Sequence, residues 1–184
     1  PMVEEAAQRI LQMGENPDNI SIVGLPGGNI SPDVTYTSEQ VCEKFSLPKE
    51  QPYILVIQHA VTQSQSEAVQ QITETLEAVS SLNYPTLLAN PNDDAGSKAM
   101  SEQLVAYADK YCHLKILHPP KSRELFASIM AHAGVLVGNS SSGIVEAMSV
   151  NTPVVNIGDR QRGRESLAYL LNTDYQQDAI VDAI

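Results

Sequence analysis

Apolar residues along this chain follow two rhythms that alternate from end to end. Short continuous runs at 53–57, Thr86–Ala89, Leu114–Leu117, 134–137 and 153–157 have the length and composition of buried strands. Between them, apolar residues recur every three or four positions. Val69, Ile72, Leu76 and Val79 predict a long helix over 64–82, and Met100, Leu104 and Ala108 one over 96–111. Further helices are expected over Ser38–Phe45, 122–133 and 178–184. One more opens the chain over 4–13, with Ala6, Ile10 and Met13 on one face and Gly14 ending it. Asn16-Pro17-Asp18-Asn19 reads as a turn before a short strand at 20–23. The loop from Gly24 to Asn29 matches neither the dinucleotide fingerprint nor the Walker A pattern. Strand and helix patterns alternate with no internal repeat. The fold class expected is therefore α/β, a doubly wound, Rossmann-like parallel sheet with helices on both faces.

Length and composition narrow the functional classes. At 184 residues the chain fits one domain with a substantial core. It carries 22 acidic against 11 basic residues, a formal net charge of −11, which argues against nucleic acid or an anionic membrane as the main partner. No apolar run approaches the length of a membrane span. The acidic start at Glu4 and Glu5 is unlike a signal peptide. Two cysteines, Cys42 and Cys112, cannot make a disulfide framework and fit a reduced, cytoplasmic protein. Cys112, His113 and His118 lack a standard zinc spacing, so no metal site is expected there. Both ends of the chain look cut, and it is expected to be one domain of a larger protein.

The candidate chemistry lies after the last two of these strands. Gly138-Asn139-Ser140-Ser141-Ser142-Gly143 joins the run 134–137 to a helix carrying Ile144, Ala147 and Met148. The first N–H groups of a helix have no partner inside it and, with the helix dipole, attract anions. Gly143 would let a phosphate approach, and Glu146, one turn on, could accept hydrogen bonds from a diol such as ribose. The same residues also suit plain helix capping, with Ser142 as the cap. After the run 153–157, Arg160, Arg162 and Arg164 fall within five positions of an otherwise acidic chain. Guanidinium groups bind phosphate in bidentate fashion, though these could equally pair with Asp159 and Glu165 on the surface. Both loops sit where open α/β sheets bind ligands.

The string GNSSSGIVEA followed by TPVVNIGDRQRGRE resembles the C-terminal domain of UDP-N-acetylglucosamine 2-epimerases. Pro91-Asn92-Asp93-Asp94-Ala95-Gly96-Ser97-Lys98 is similar to the P-N-x-D-A-G-S-K loop of the hydrolysing branch. His59-Ala60-Val61-Thr62 is similar to that branch's H-P-V-T segment, with Ala60 in place of proline. The non-hydrolysing branch usually carries H-R-R-E there. The four separated motifs stand in the family's order, and the resemblance covers nearly the whole chain.

The resemblance implies that 1–184 is the C-terminal, nucleotide-binding half of a two-domain GT-B fold, with the active site in the cleft between domains. It implies that Ser141, Ser142 and the backbone of Gly143 hold the diphosphate of a UDP-sugar, with Glu146 on the ribose and Arg160 near the phosphates. Asn92 would face the nucleotide side, and Phe126 would pack near the uracil, although it also suits a core position on an amphipathic helix. His59 would be a cleft acid or base, or else a structural hydrogen-bonder. The implied reaction hydrolyses UDP-N-acetylglucosamine to N-acetylmannosamine and UDP for sialic or nonulosonic acid synthesis. No cofactor or metal is implied, and a homo-oligomer is. The alternatives are the non-hydrolysing epimerase, a GT-B glycosyltransferase and a silent UDP-sugar-binding module. Many retaining transferases place a second glutamate eight positions after the first, where this chain has Val154.

Overall fold

A computed structural model describes residues 1–24, 34–120, 122–164 and 170–184. The loop expected over Gly24 to Asn29 therefore lies mostly outside the described residues. The chain divides into two compact units, Pro1–Ser31 and Pro32–Ile184.

In the first unit, α1 (Glu4–Gln12) carries Glu4 and Glu5 in its first turn, where carboxylates complement the helix dipole. It ends through Met13 into Gly14, whose φ is +93°. Met13, expected on the apolar face, is 82% exposed, and Ala7 is the buried residue of the helix. A 3-10 turn follows over Pro17–Asn19, capped by the Asn16 side chain, which accepts the Asp18 N–H at 3.1 Å. The run 20–23, expected as a strand, is not one. Val23 is 72% exposed and its N–H bonds Pro1 O at 3.1 Å instead of entering a ladder. Ile20, Ile22 and Val23 are too few to favour a strand when no neighbour pairs with them among the described residues.

The second unit is a six-stranded parallel sheet in the order β3-β2-β1-β4-β5-β6. The strands are β1 (Ile54–Ile57), β2 (Thr86–Ala89), β3 (Leu114–Leu117), β4 (Val135–Gly138), β5 (Val154–Ile157) and β6 (Leu170–Thr173). The helices are α2 (Ser38–Phe45), α3 (Ala68–Leu82), α4 (Ser97–Lys110), α5 (Arg123–Ala131), α6 (Ser142–Ser149) and α7 (Gln177–Ala183). Successive strand residues point to opposite faces, so β1 feeds both halves of the core. Ile54 and Val56 join a cluster with Ile72, Leu76, Met100 and Ile180 from α3, α4 and α7. Leu55 and Ile57 join the other, with Val41, Leu125, Ile129 and Ala147 from α2, α5 and α6. Burial of β1 on both faces is the reason its sequence is continuously apolar.

Two departures from the expected elements have local causes. The long helix starts at Ala68, not at 64, because Thr62–Glu67 tightens into a 3-10 turn. Ala68 thereby takes the buried position and leaves Val69 partly exposed. Strand β6 was not expected. It lies at the sheet edge, Leu171 and Asn172 are exposed, and of its four residues only Leu170 and Leu171 are apolar.

The order of strands reverses between β1 and β4, which pair in register from Ile54 with Val135 to Ile57 with Gly138. Crossovers to either side leave a crevice beyond the carboxyl ends of these two strands, the topological switch point of the sheet.

Candidate functional site at the switch point

Gly138 makes the junction of β1 and β4 possible. Its φ is +139°, and a Cβ there would sit 2.1 Å from Ile57 O. The chain then places Asn139, fully buried, between the two strand ends. Its N–H continues the ladder to Ile57 O at 3.2 Å. Its side-chain Oδ1 accepts the His59 N–H at 2.7 Å, and its Nδ2 donates to His59 O at 2.9 Å and to the Tyr175 hydroxyl at 3.3 Å. Its carbonyl accepts from Arg160 Nη1 at 3.1 Å and Gln161 Nε2 at 2.7 Å. One residue thus joins the loops after β1, β4 and β5 and the segment after β6.

His59 is half-buried over this junction. Its Nδ1 accepts the Asn92 backbone N–H at 3.1 Å, and its Nε2 lies 3.3 Å from Ser140 Oγ. Burial lowers its pKa below 6.5, the Arg160 guanidinium lowers it further, and Asp94 opposes both. Asn92 therefore reaches the site through its backbone. Its side chain is turned into its own loop, donating to Asp94 Oδ2 and accepting from Ser97 Oγ at 3.4 Å.

The serine turn enters α6 with Ser141 as the cap position, without a capping bond from its own side chain. The Ser140 hydroxyl does that work, accepting the Ser142 N–H at 3.3 Å, while the Gly143 N–H bonds Ser140 O at 3.2 Å. Ser142 was expected as the cap and is instead the first helical residue. Gly143 was expected to leave room for a phosphate. A Cβ there would instead meet Val154 Cγ1 at 3.0 Å and Leu136 Cδ2 at 3.3 Å, so the glycine lets α6 lie close on the sheet. Among the described residues no acceptor meets the backbone N–H groups of Ser140 and Ser141. Glu146, half-buried, is one turn beyond Ser142 on the same side of α6.

The structure thus brings His59, the Asn92 backbone, the serine turn and Arg160 together, with Glu146 adjoining. Phe126 is half-buried on α5 and packs against the core cluster of α2, α5 and α6. Arg162 and Arg164 are exposed, and among the described residues neither forms an ion pair with Asp159. They line a cavity of about 320 Å³ with Ile144, Asn156, Gln161 and Asn172. A second, open cavity of about 750 Å³ is lined by Val61, Glu67, Gln71, Asp174 and Tyr175.

Sequence reasoning did not single out Asn139, Ser140 or Tyr175. Asn139 and Ser140 lie within the serine string, where a polar residue directly after a buried strand and a glycine was the available clue. Tyr175 had none, because the unexpected edge strand β6 is what carries it over Gly158, with its ring against the space a Cβ there would fill.

A family model for UDP-N-acetylglucosamine 2-epimerase matches residues 1–184. A UDP-N,N'-diacetylbacillosamine 2-epimerase (hydrolyzing) of Legionella pneumophila is 32% identical, covering 98% of this chain and 48% of the relative. A UDP-N-acetylglucosamine 2-epimerase of Neisseria meningitidis serogroup B is 33% identical, over 98% of this chain and 47% of the relative. The chain spans about half the length of these curated relatives. The fold is that of one half of the UDP-GlcNAc 2-epimerase of Methanocaldococcus jannaschii, solved with UDP-GlcNAc and UDP. There the TM-score is 0.70 at 16% identity, covering 98% of this chain and 51% of that one.

Proposed function

The chain belongs to the UDP-N-acetylglucosamine 2-epimerase family, and from that premise we propose that it is the nucleotide-binding half of a hydrolysing 2-epimerase. In this reading it holds the UDP moiety of UDP-N-acetylglucosamine at the switch point. The observation that carries the proposal is the convergence of Arg160 and His59 on the turn from Asn139 to Ser142 that opens α6. That turn offers backbone N–H groups, the helix dipole and a guanidinium to one anion. Glu146, one turn on, takes the ribose hydroxyls. Ser141, Ser142 and Arg160 take the diphosphate. Phe126 stands at the uracil end of the site and Asn92 at its nucleotide side.

The reaction is an elimination followed by a hydration. A base removes the C2 proton of the sugar, its electron pair forms the C1–C2 double bond, and the C1–O bond breaks to release UDP. Water then adds to the 2-acetamidoglucal to give N-acetylmannosamine. Negative charge grows on the UDP oxygens as the bond breaks, so donors aimed at the diphosphate stabilise the transition state more than the bound substrate. The hydrolysing branch is favoured by His59-Ala60-Val61-Thr62, which has no arginine after the histidine. The similarity to a relative described as hydrolysing points the same way. We place the intact protein in the cytoplasm, supplying amino sugar for sialic or nonulosonic acid synthesis as a homo-oligomer.

Calorimetric titration of UDP into the protein tests the site. Wild type binds UDP, and Arg160→Ala and Ser142→Ala each bind about tenfold or more weakly, the scale of a hydrogen bond to a charged group. Failure of wild type to bind UDP, or equal affinity in both variants, contradicts the assignment.

A further inference from the structure

The hydrogen bonds around His59 fix its chemistry, and they do not suit proton transfer. A backbone N–H can only donate, so the Asn92 contact makes Nδ1 of His59 the acceptor nitrogen. In the neutral ring the proton then sits on Nε2, which faces Ser140 Oγ. Ser140 Oγ accepts from this N–H and from the Ser142 N–H, and it donates its own proton to Ser142 Oγ at 3.2 Å. The Ser142 hydroxyl accepts from Ser140 with one lone pair and has its own proton left to donate, and no acceptor for that proton is found among the described residues.

We infer that His59 is a positioning residue: a fixed, neutral N–H donor that heads a one-way relay from His59 Nε2 through Ser140 to Ser142, aiming the Ser142 hydroxyl proton at the leaving diphosphate. This inference rests on the UDP site proposed above and replaces the acid–base role that the family resemblance left open for His59. Protonating Nδ1 would set an N–H against the Asn92 N–H. Of the charged groups facing the ring, Arg160 opposes the imidazolium and Asp94 favours it. Asp94 is itself drawn off by the Asn92 side chain. A chain of hydrogen bonds polarised in one direction strengthens its terminal donor. It also holds one lone pair of Ser142 toward Ser140.

Two measurements test this, and the first needs no ligand. Nitrogen-15 NMR of the histidine-labelled intact protein, with the His59 signals identified by their loss in His59→Gln, reads the tautomer directly. The expected result is a bare Nδ1 and a protonated Nε2 between about pH 7 and 9. A proton on Nδ1 at neutral pH overturns the inference, whatever becomes of the UDP reading. The second measurement is UDP affinity and the pH profile of kcat. His59→Phe and Ser140→Ala weaken UDP about tenfold, and His59→Gln, which keeps an N–H, about threefold. The acid and base limbs of the kcat profile persist in His59→Gln. Loss of a limb in that variant while UDP affinity holds would make His59 a proton-transfer residue and contradict the relay. If wild type binds no UDP, the functional reading fails and the tautomer result stands by itself.

Discussion

Asn139 carries more of the site than any residue that would touch a ligand. Replacing it with Ala leaves the part-buried His59 N–H and carbonyl without these partners, and unsatisfied buried groups cost about 1–3 kcal/mol each. Asn139→Ala is therefore expected to lose about 2–4 kcal/mol in urea unfolding and to weaken UDP binding as His59 loses its anchor, while Arg160 keeps its bond to the backbone carbonyl at 139. Loss of affinity without loss of stability would show that the amide acts on ligand and not on the loops. Glu146 gives a complementary prediction. Glu146→Ala should weaken UDP about tenfold while leaving 2′-deoxy-UDP much less affected, because only the diol is lost as a partner. His59 sets a pH dependence. Its folded pKa lies below 6.5, so the unfolded chain binds the proton first as pH falls. The stability contributed by neutral His59 is complete above pH 6.5 and declines from there down toward its lowered folded value. In urea titrations at a series of pH values, His59→Gln should flatten that acid-side decline.

At the scale of elements, α6 depends on two glycines with different duties. Gly138→Ala places a Cβ against the Ile57 carbonyl, which is backbone and cannot step aside. We expect a loss of about 4 kcal/mol or more, or no soluble protein. Gly143→Ala meets only side chains of Val154 and Leu136. Overpacking there should cost about 1–3 kcal/mol, read by thermal or urea unfolding. The central elements were legible from the residues because they are buried on both faces or on one periodic face. Leu55 and Leu87 sit in continuous apolar runs, and Ile72, Leu76 and Val79 repeat at helical spacing. Strand β6 was not legible, because half of its four residues, Asn172 and Thr173, are polar and the strand lies exposed at the sheet edge. The run 20–23 misled for the converse reason, being mostly apolar with no partner strand among the described residues. The site was legible as a string of serines, glycine and glutamate. Its geometry was not: the pairing of Asn139 with His59 crosses 80 residues of sequence, and only the order of strands brings the two together.

At the scale of the molecule, the chain spans about half the length of its relatives, and the account assigns it half of the work. Under the proposed function it binds the leaving group, and the groups that handle the C2 proton are expected in the other half of the intact protein. The chain alone is therefore expected to bind UDP and to leave UDP-N-acetylglucosamine unchanged. The most direct test of the account is turnover of UDP-N-acetylglucosamine by the intact protein in deuterated water, followed by NMR. The account predicts UDP together with free N-acetylmannosamine carrying deuterium at C2, as elimination and re-addition require. Formation of UDP-N-acetylmannosamine, or of N-acetylmannosamine that keeps its original C2 hydrogen, would contradict it.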